Sequence, residues 1–264
     1  MPVSYTATTV LVTGASSGLG EEFARQLAAR GANLVLVARR IDRLEQLATE
    51  LSTKHGISVT PIKSDLSEPN AASSLGAELI RRDIRVTSLI NNAGFATRNE
   101  FQNEEAARID QEIAVNVSAL VALTRQFYPE LRKNGAGVLI NVASTAAYQP
   151  VPLLAVYGAT KAFVLSFTEA LWSEAAGSGL KVLALSPGST RTEFFDFAGA
   201  GARVGKFRTA QDVVALALAT LDKRNPPPSV IDGRSNRAAV FASRLVSRRG
   251  LIRLTERVTG RTVG

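Results

Sequence analysis

The sequence contains no cysteine, which excludes disulfides, thiolate nucleophiles and thiolate-bound metals together. Histidine is nearly as scarce. The only one, His55, stands between Lys54 and Gly56 in a stretch that reads as a helix-to-strand turn, where a solvated imidazole is expected rather than a catalytic one. No cluster of side chains has metal-ligand spacing, so no metal is expected. No apolar run reaches the roughly 20 residues that a membrane-spanning helix needs. The opening Met1-Pro2-Val3-Ser4-Tyr5 lacks the basic and apolar regions of a secretory signal, and the expected location is cytoplasmic. Internal repeats, low-complexity segments and an interdomain linker are also missing.

What remains is a chain of 264 residues, 45% hydrophobic and 20% charged, enough for one large domain with a substantial core. Its net charge of +8 is unevenly placed. From Gly233 onward, arginines at 234, 237, 244, 248, 249, 253, 257 and 261 face Glu256 alone, so the first 232 residues are nearly neutral. A nucleic-acid partner would have to use that tail. Phe241 is its only aromatic, which does not make a stacking platform, and no nucleic acid is expected.

Apolar runs alternate with helical periodicity along the chain. Val10-Leu11-Val12 leads into Thr13-Gly14-Ala15-Ser16-Ser17-Gly18-Leu19-Gly20, a helix follows over 21–30, and a second strand covers 33–38. A glycine-rich turn between strand and helix lets the backbone approach a pyrophosphate, whose charge suits the helix N-terminus. Further strands are expected at 58–62, 86–90, 138–143, 181–186 and 229–231. Helices are expected at 41–51, 71–81, 104–132, 157–175 and 209–221. This is the pattern of an α/β fold, a Rossmann-type doubly wound parallel sheet of about seven strands with helices on both faces. The expected units are a dinucleotide-binding and catalytic domain over 1–232 and a basic helical extension over 233–264.

The second strand ends in Arg39-Arg40. NAD-binding folds carry an acid near this point to hold the ribose 2′-hydroxyl. Arginine removes that acceptor and offers a fork for a 2′-phosphate, so NADP(H) is expected ahead of NAD(H). Ser16 is placed to donate a further hydrogen bond to the same phosphate.

Tyr157 and Lys161, four apart, share one face of a helix with about 6 Å of axial rise between them. A phenol titrates near 10, too high for proton transfer at neutral pH without help. A cation at that distance, at an effective dielectric of about 20, favours tyrosinate by roughly 3 kcal/mol. Ser144 follows the apolar run 138–143, which reads as a buried parallel strand and sets the serine at the carboxyl edge of the sheet, where open α/β folds bind ligands.

Thr-Gly-x-x-x-Gly-x-Gly at 13–20, Ser144 and Tyr-x-x-x-Lys at 157–161 resemble the short-chain dehydrogenase/reductase family, over roughly residues 8–232. The resemblance implies a catalytic group of Asn116, Ser144, Tyr157 and Lys161. Its cofactor site would comprise Gly14, Ser16, Ser17, Gly18, Leu19 and Gly20 in the glycine turn, with Arg39 and Arg40. Asp65 and Leu66 would lie at the adenine, and Asn92, Ala93 and Gly94 along the cofactor, beside Tyr157 and Lys161. Pro187, Gly188, Thr190 and Thr192 would sit near the nicotinamide and pyrophosphate. Asn116 would distort its helix so that a water joins Lys161 to solvent; a core asparagine satisfied by Asn91 is the plainer alternative. The helix opening at Tyr157 often packs against a partner's copy in this family, implying a homodimer or homotetramer.

The loop 145–154 is expected to wall the substrate site, through Ala146 and Leu153, and the glycine- and phenylalanine-rich segment 193–206 to close over it, through Phe194. In the tail, Ala238, Phe241, Ala242, Leu245 and Val246 make one apolar stripe. Three roles stay open for it: a membrane-surface helix, a subunit contact, or a cover for the substrate pocket. The activity expected is an oxidoreductase that transfers hydride between the nicotinamide of NADP(H) and an apolar small-molecule carbonyl or alcohol. The alternative is a cofactor-bound sensor of the same fold that does not turn over.

Overall fold

A computed structural model describes residues 2–193 and 207–260, with the side chains of 257–260 excepted. Its centre is a seven-stranded, wholly parallel sheet: β1 (Thr9–Thr13), β2 (Asn33–Ala38), β3 (Val59–Lys63), β4 (Ser88–Asn91), β5 (Val138–Val142), β6 (Lys181–Ser186) and β7 (Ser229–Ile231). The order is β3-β2-β1-β4-β5-β6-β7. The chain therefore winds outward from β1 in one direction and outward from β4 in the other. Their neighbouring carboxyl ends form the crevice that such sheets use for ligands. In register, Val10, Leu11 and Val12 of β1 lie beside Leu34, Val35 and Leu36 of β2, and beside Ser88, Leu89 and Ile90 of β4.

Both faces of the sheet are buried, which is why its strands read as continuous apolar runs rather than alternating ones. On one face Val10, Val12, Leu34, Leu36 and Ile140 pack against Phe23 and Leu27 of α1 (Gly18–Ala29), Leu44 and Leu51 of α2 (Ile41–His55), and Leu218 of the later helix α7 (Ala210–Leu221). On the other, Leu11, Val35, Leu89 and Leu139 meet α3 (Ala71–Arg81) through Leu75 and Leu79, α5 (Leu120–Asn134) through Leu123 and Leu131, and α6 (Ala155–Glu174) through Leu171. At about 25 cal/mol per Å² of apolar surface, this two-sided burial is the main source of stability.

Several expected elements shift once built. The second helix runs past Leu51 to His55 and ends only where Gly56 takes a left-handed φ of 65°, so the histidine closes a helix instead of sitting in the turn. The expected helix 104–132 is three pieces: α4 (Ala106–Ile113), a π-helical turn (Ala114–Ala119) and α5. Of the two α6 phenylalanines, Phe167 packs on the core while Phe163 stacks against it, centroids 5.8 Å apart, and stays exposed. After β7 the tail is two helices, α8 (Arg234–Ser243) and α9 (Arg248–Gly260), not one stripe. No described helix is long and apolar enough to cross a membrane, and no group of three or more possible metal ligands occurs among the described residues.

Candidate active site

The first strand delivers the chain into the glycine turn. Gly14 and Gly18 hold φ of 65° and 58°, left-handed values that side chains resist. A Cβ on Gly20 would collide with the Gly14 carbonyl, and one on Gly18 would come 3.0 Å from Thr192. The helix start thus packs directly on β1, and Thr192 lies across the turn. At the adjoining strand end, Thr13 Oγ1 accepts from the N–H groups of Asn92 and Ala93, each at 3.0 Å, and Asn92 Nδ2 donates to the Thr13 carbonyl at 2.9 Å. These bonds tie β1 to β4 at the crevice.

Arg40, at the end of β2, donates to Ser16 Oγ and Ser17 Oγ at 3.0 and 2.9 Å. It also donates to Glu193 Oε2 at 2.8 Å, and Arg43 reaches the other carboxylate oxygen at 2.6 Å. The two guanidinium groups hold the Glu193 carboxyl down at about 2. An anion of the protein's own is therefore held between Arg40 and Arg43, and Arg40 at the same time bonds Ser16 and Ser17. The donor set and this carboxylate stand-in both fit a 2′-phosphate. Arg39 is more exposed and lies 4.0 Å from Asp65, whose carboxylate accepts from the N–H and hydroxyl of Ser67. Asp65 is thus a turn cap and a cavity wall at once.

The catalytic candidates converge at the ends of β4 and β5. Ser144 leaves β5 in extended conformation and accepts from Ala146 N at 3.1 Å, capping a short 3-10 turn (Thr145–Tyr148). It also hydrogen-bonds the hydroxyl of Tyr157, in the first turn of α6. Lys161 Nζ donates to the Val142 carbonyl at 2.8 Å and lies 5.8 Å from the Tyr157 ring centroid. Asn116 is wholly buried in the π-helical turn, where its Oδ1 accepts from Phe95 N at 3.1 Å and its Nδ2 donates to Phe95 O and Thr160 Oγ1. π-turns concentrate at functional sites. Asn91 is not its partner: that side chain donates instead to Thr124 and Asn141. A Cβ on Gly94 would come 2.9 Å from Asn116 Oδ1 and 3.3 Å from Lys161 Nζ, so only a glycine fits between them.

Burial reverses one expectation. Tyr157 is pushed up to about 12, by desolvation first and by the Glu112 charge, while the Ser144 hydrogen bond opposes the rise. Lys161 is pulled down to about 8 by the same desolvation, with Glu112 holding it up. The expected lowering of the phenol by its neighbour does not appear, because losing water costs the tyrosinate more than the cation returns.

One cavity of about 680 Å³ joins these groups. Its lining includes Gly14, Ser16, Ser17, Gly18, Leu19, Arg39, Arg40, Asp65, Leu66, Asn92, Ala93, Gly94, Ala146, Pro187, Gly188, Thr190 and Thr192, with Ser144, Tyr157 and Lys161. Gly20 and Asn116 lie behind the wall. Leu153 does not line the cavity; with a φ of 66° it turns the chain so that Leu154 faces inward instead. Phe194 lies outside the described residues. Sequence reasoning missed Phe95, Arg108, Gln111 and Val115 on one wall and the buried Glu112 behind it. It left the tail open, and there Ala239, Ala242, Val246, Leu251 and Leu254 line the cavity while Phe241 and Leu245 face outward. No sequence signal marked Glu112, because the π-helical turn that holds Asn116 breaks the regular period between the two.

A parallel sheet with this crevice, and a Ser-Tyr-Lys group at its edge, define a dinucleotide-fold oxidoreductase. Residues 8–201 match the family model described as short chain dehydrogenase, and the chain belongs to that family. The sulfoacetaldehyde reductase 2 of Chromohalobacter salexigens is 39% identical over 187 residues, 70% of this chain and 73% of that protein. A short-chain dehydrogenase from Sphingobium yanoikuyae in complex with NADPH superposes with a TM-score of 0.80 at 35% identity, covering 90% of this chain and 94% of that one. The bulky-bulky ketone specific alcohol dehydrogenase from Comamonas testosteroni gives 0.76 at 28% identity, covering 91% and 93%.

Proposed function

We propose that this protein is an NADP(H)-dependent oxidoreductase that interconverts an apolar small-molecule carbonyl compound and its alcohol. The observation that carries this reading is the hydrogen-bonded Ser144–Tyr157 pair, with Lys161 Nζ 5.8 Å from the phenol ring, on the wall of a cavity whose other end holds Arg40 and the glycine turn. The glycine turn, Arg40 with Ser16, and Thr190 with Thr192 would hold the cofactor, and Asn92, Ala93 and Gly94 would flank it. The cofactor so held would supply the hydride for the substrate carbon.

The remaining work falls to this chain's own side chains. With its pKa near 12, Tyr157 is protonated at neutral pH and ready to give its proton to the carbonyl oxygen, which suits reduction. Ser144 donates to the same oxygen as negative charge gathers there. Lys161, titrating near 8, is matched to return a proton to the phenol. Asn116 fixes Phe95 and Thr160, and the Thr160 hydroxyl donates to the Tyr157 carbonyl at 2.8 Å, so it holds the start of α6 in place. Residues 1–232 form the cofactor and catalytic unit, and 233–264 an extension that closes the substrate end. Phe163 and Trp172, both exposed on α6, support a homo-oligomer through that helix.

The test is NADPH consumption against a panel of aldehydes and ketones, alongside direct titration of NADPH binding. Turnover of at least one carbonyl with retained cofactor binding is expected. Tight NADPH binding with no turnover across the panel would make the protein a sensor and sink the catalytic reading.

A further inference from the structure

Besides Tyr157 the cavity lining includes Arg108 and Gln111 of α4 with Phe95, and apolar residues of α8, α9 and the turn between them. Arg108 is the basic side chain of the first of these groups. Its guanidinium carbon lies 4.2 Å from the Phe95 ring centroid, and Nη1 donates to Gln111 Oε1 at 3.4 Å. Phe95 is itself fixed to Asn116 through both backbone groups, so the cation is held in register with the catalytic core. Stacking uses the face of a guanidinium and leaves most of its five donors at the edge.

No ion pair among the described residues involves Arg108, whereas Arg25, Arg30, Arg40, Arg43 and Arg208 all have carboxylate partners. Of the acids within four residues of it, Glu104, Glu105 and Asp110 make no ion pair with it, and Glu112 is turned inward, where Oε2 accepts from the Thr97 N–H and hydroxyl at 3.0 and 2.6 Å. The only acids in the described lining, Asp65 and Glu193, sit at the opposite, Arg40 end. A half-buried cation fixed on Phe95 thus shares the cavity lining with the apolar tail residues, and both carboxylates of the described lining lie at the Arg40 end. On the tail that supplies this lining, exposed arginines 244, 248, 249 and 253 add positive potential, which draws anions in.

We infer that the substrate is an amphipathic carbonyl compound bearing an anionic group, carboxylate, sulfonate or phosphate, and that Arg108 is the residue that pairs with it. Its apolar segment would lie against Val246, Leu251 and Leu254. This inference rests on the oxidoreductase reading and changes its substrate class from apolar to amphipathic.

The experiment compares levulinate and longer-chain keto acids with their methyl esters, in the intact protein with NADPH. Wild type is expected to favour the acids in kcat/KM. Arg108→Met should lower the acid-to-ester ratio by about tenfold or more, the scale of a charged hydrogen bond, and Arg108→Lys by less. Matching keto sulfonates and keto phosphates identify which anion is preferred. An unchanged ratio in Arg108→Met, or a wild type that favours the esters, overturns the inference. If no compound turns over, the oxidoreductase reading fails separately, and calorimetry with decanoate decides Arg108: weaker binding to Arg108→Met than to wild type supports the anion site, and equal binding overturns it.

Discussion

The floor of the cavity and its cover are built on different principles. Along the floor, Asn91, Asn116, Asn141 and Lys161 are almost wholly buried and bonded into the sheet and α6. The cover, α8, α9 and the turn between them, buries Val240 and Leu251 while leaving Phe241 66% and Leu245 77% exposed. A buried hydrogen-bonded network resists distortion, because each broken bond strands a further polar atom beside Asn91 Oδ1, which already lacks a partner. A helix pair with thin apolar contacts can shift at small cost. Chemistry is therefore assigned to the rigid side, and the fit of the substrate's apolar segment to the yielding one.

The sharpest way to break this division is at the proton donor. Tyr157→Phe keeps the ring in its pocket and removes the hydroxyl, so turnover should fall about 10²- to 10⁴-fold while NADPH titration shows retained binding. A loss below tenfold would put the proton donor elsewhere. Next comes packing. Leu89→Ala, in the centre of the sheet, should cost the whole domain about 2–5 kcal/mol in denaturant unfolding. Leu251→Ala should leave that global transition nearly in place and raise KM for apolar carbonyls instead. Equal destabilisation by the two would mean that cover and floor unfold as one.

Smaller again is the effect at the rim of the glycine turn. Arg40→Ala removes the fork that now binds Ser16, Ser17 and Glu193. The preference for NADPH over NADH, measured as a ratio of kcat/KM, should fall about tenfold or more. An unchanged ratio would assign the 2′-phosphate to Arg39 or Arg43.

Much of the floor was legible along the chain, because strand, glycine turn and helix follow one another locally. The second strand (Asn33–Ala38), the α3 helix (Ala71–Arg81) and the last strand (Ser229–Ile231) came out with their observed limits. Arg108 and Gln111 were not legible as cavity residues. They sit on a helix whose phase is reset by the π-helical turn at Asn116, so a regular 3.6-residue period points them elsewhere. The tail stripe misled for a related reason. Periodicity through Ala238, Phe241, Ala242, Leu245 and Val246 assumes one helix, but α8 ends at Ser243, and only part of the stripe turns inward. The rise of Tyr157 could not be read from Lys161 four residues away, since desolvation is a property of the assembled site.

Glu112 gives the subtlest probe, because it lies behind the floor without lining the cavity. Its side chain is 0% exposed, and burial raises its pKa against the Thr97 hydrogen bonds that lower it, with Glu104 raising it and Arg108 lowering it further. Its charge raises both Tyr157 and Lys161. Glu112→Gln preserves the shape and removes the charge, so both groups should titrate lower than about 12 and about 8. Alcohol oxidation needs the tyrosinate, and its rise with pH should move to lower pH. Carbonyl reduction needs the phenol, and its fall at high pH should move the same way. A common downward displacement of both limbs, with kcat at the optimum changed little, identifies an electrostatic role. Lower activity with unmoved limbs would instead mean that Glu112 serves only to hold Thr97, and the floor would then owe its proton affinities to burial alone.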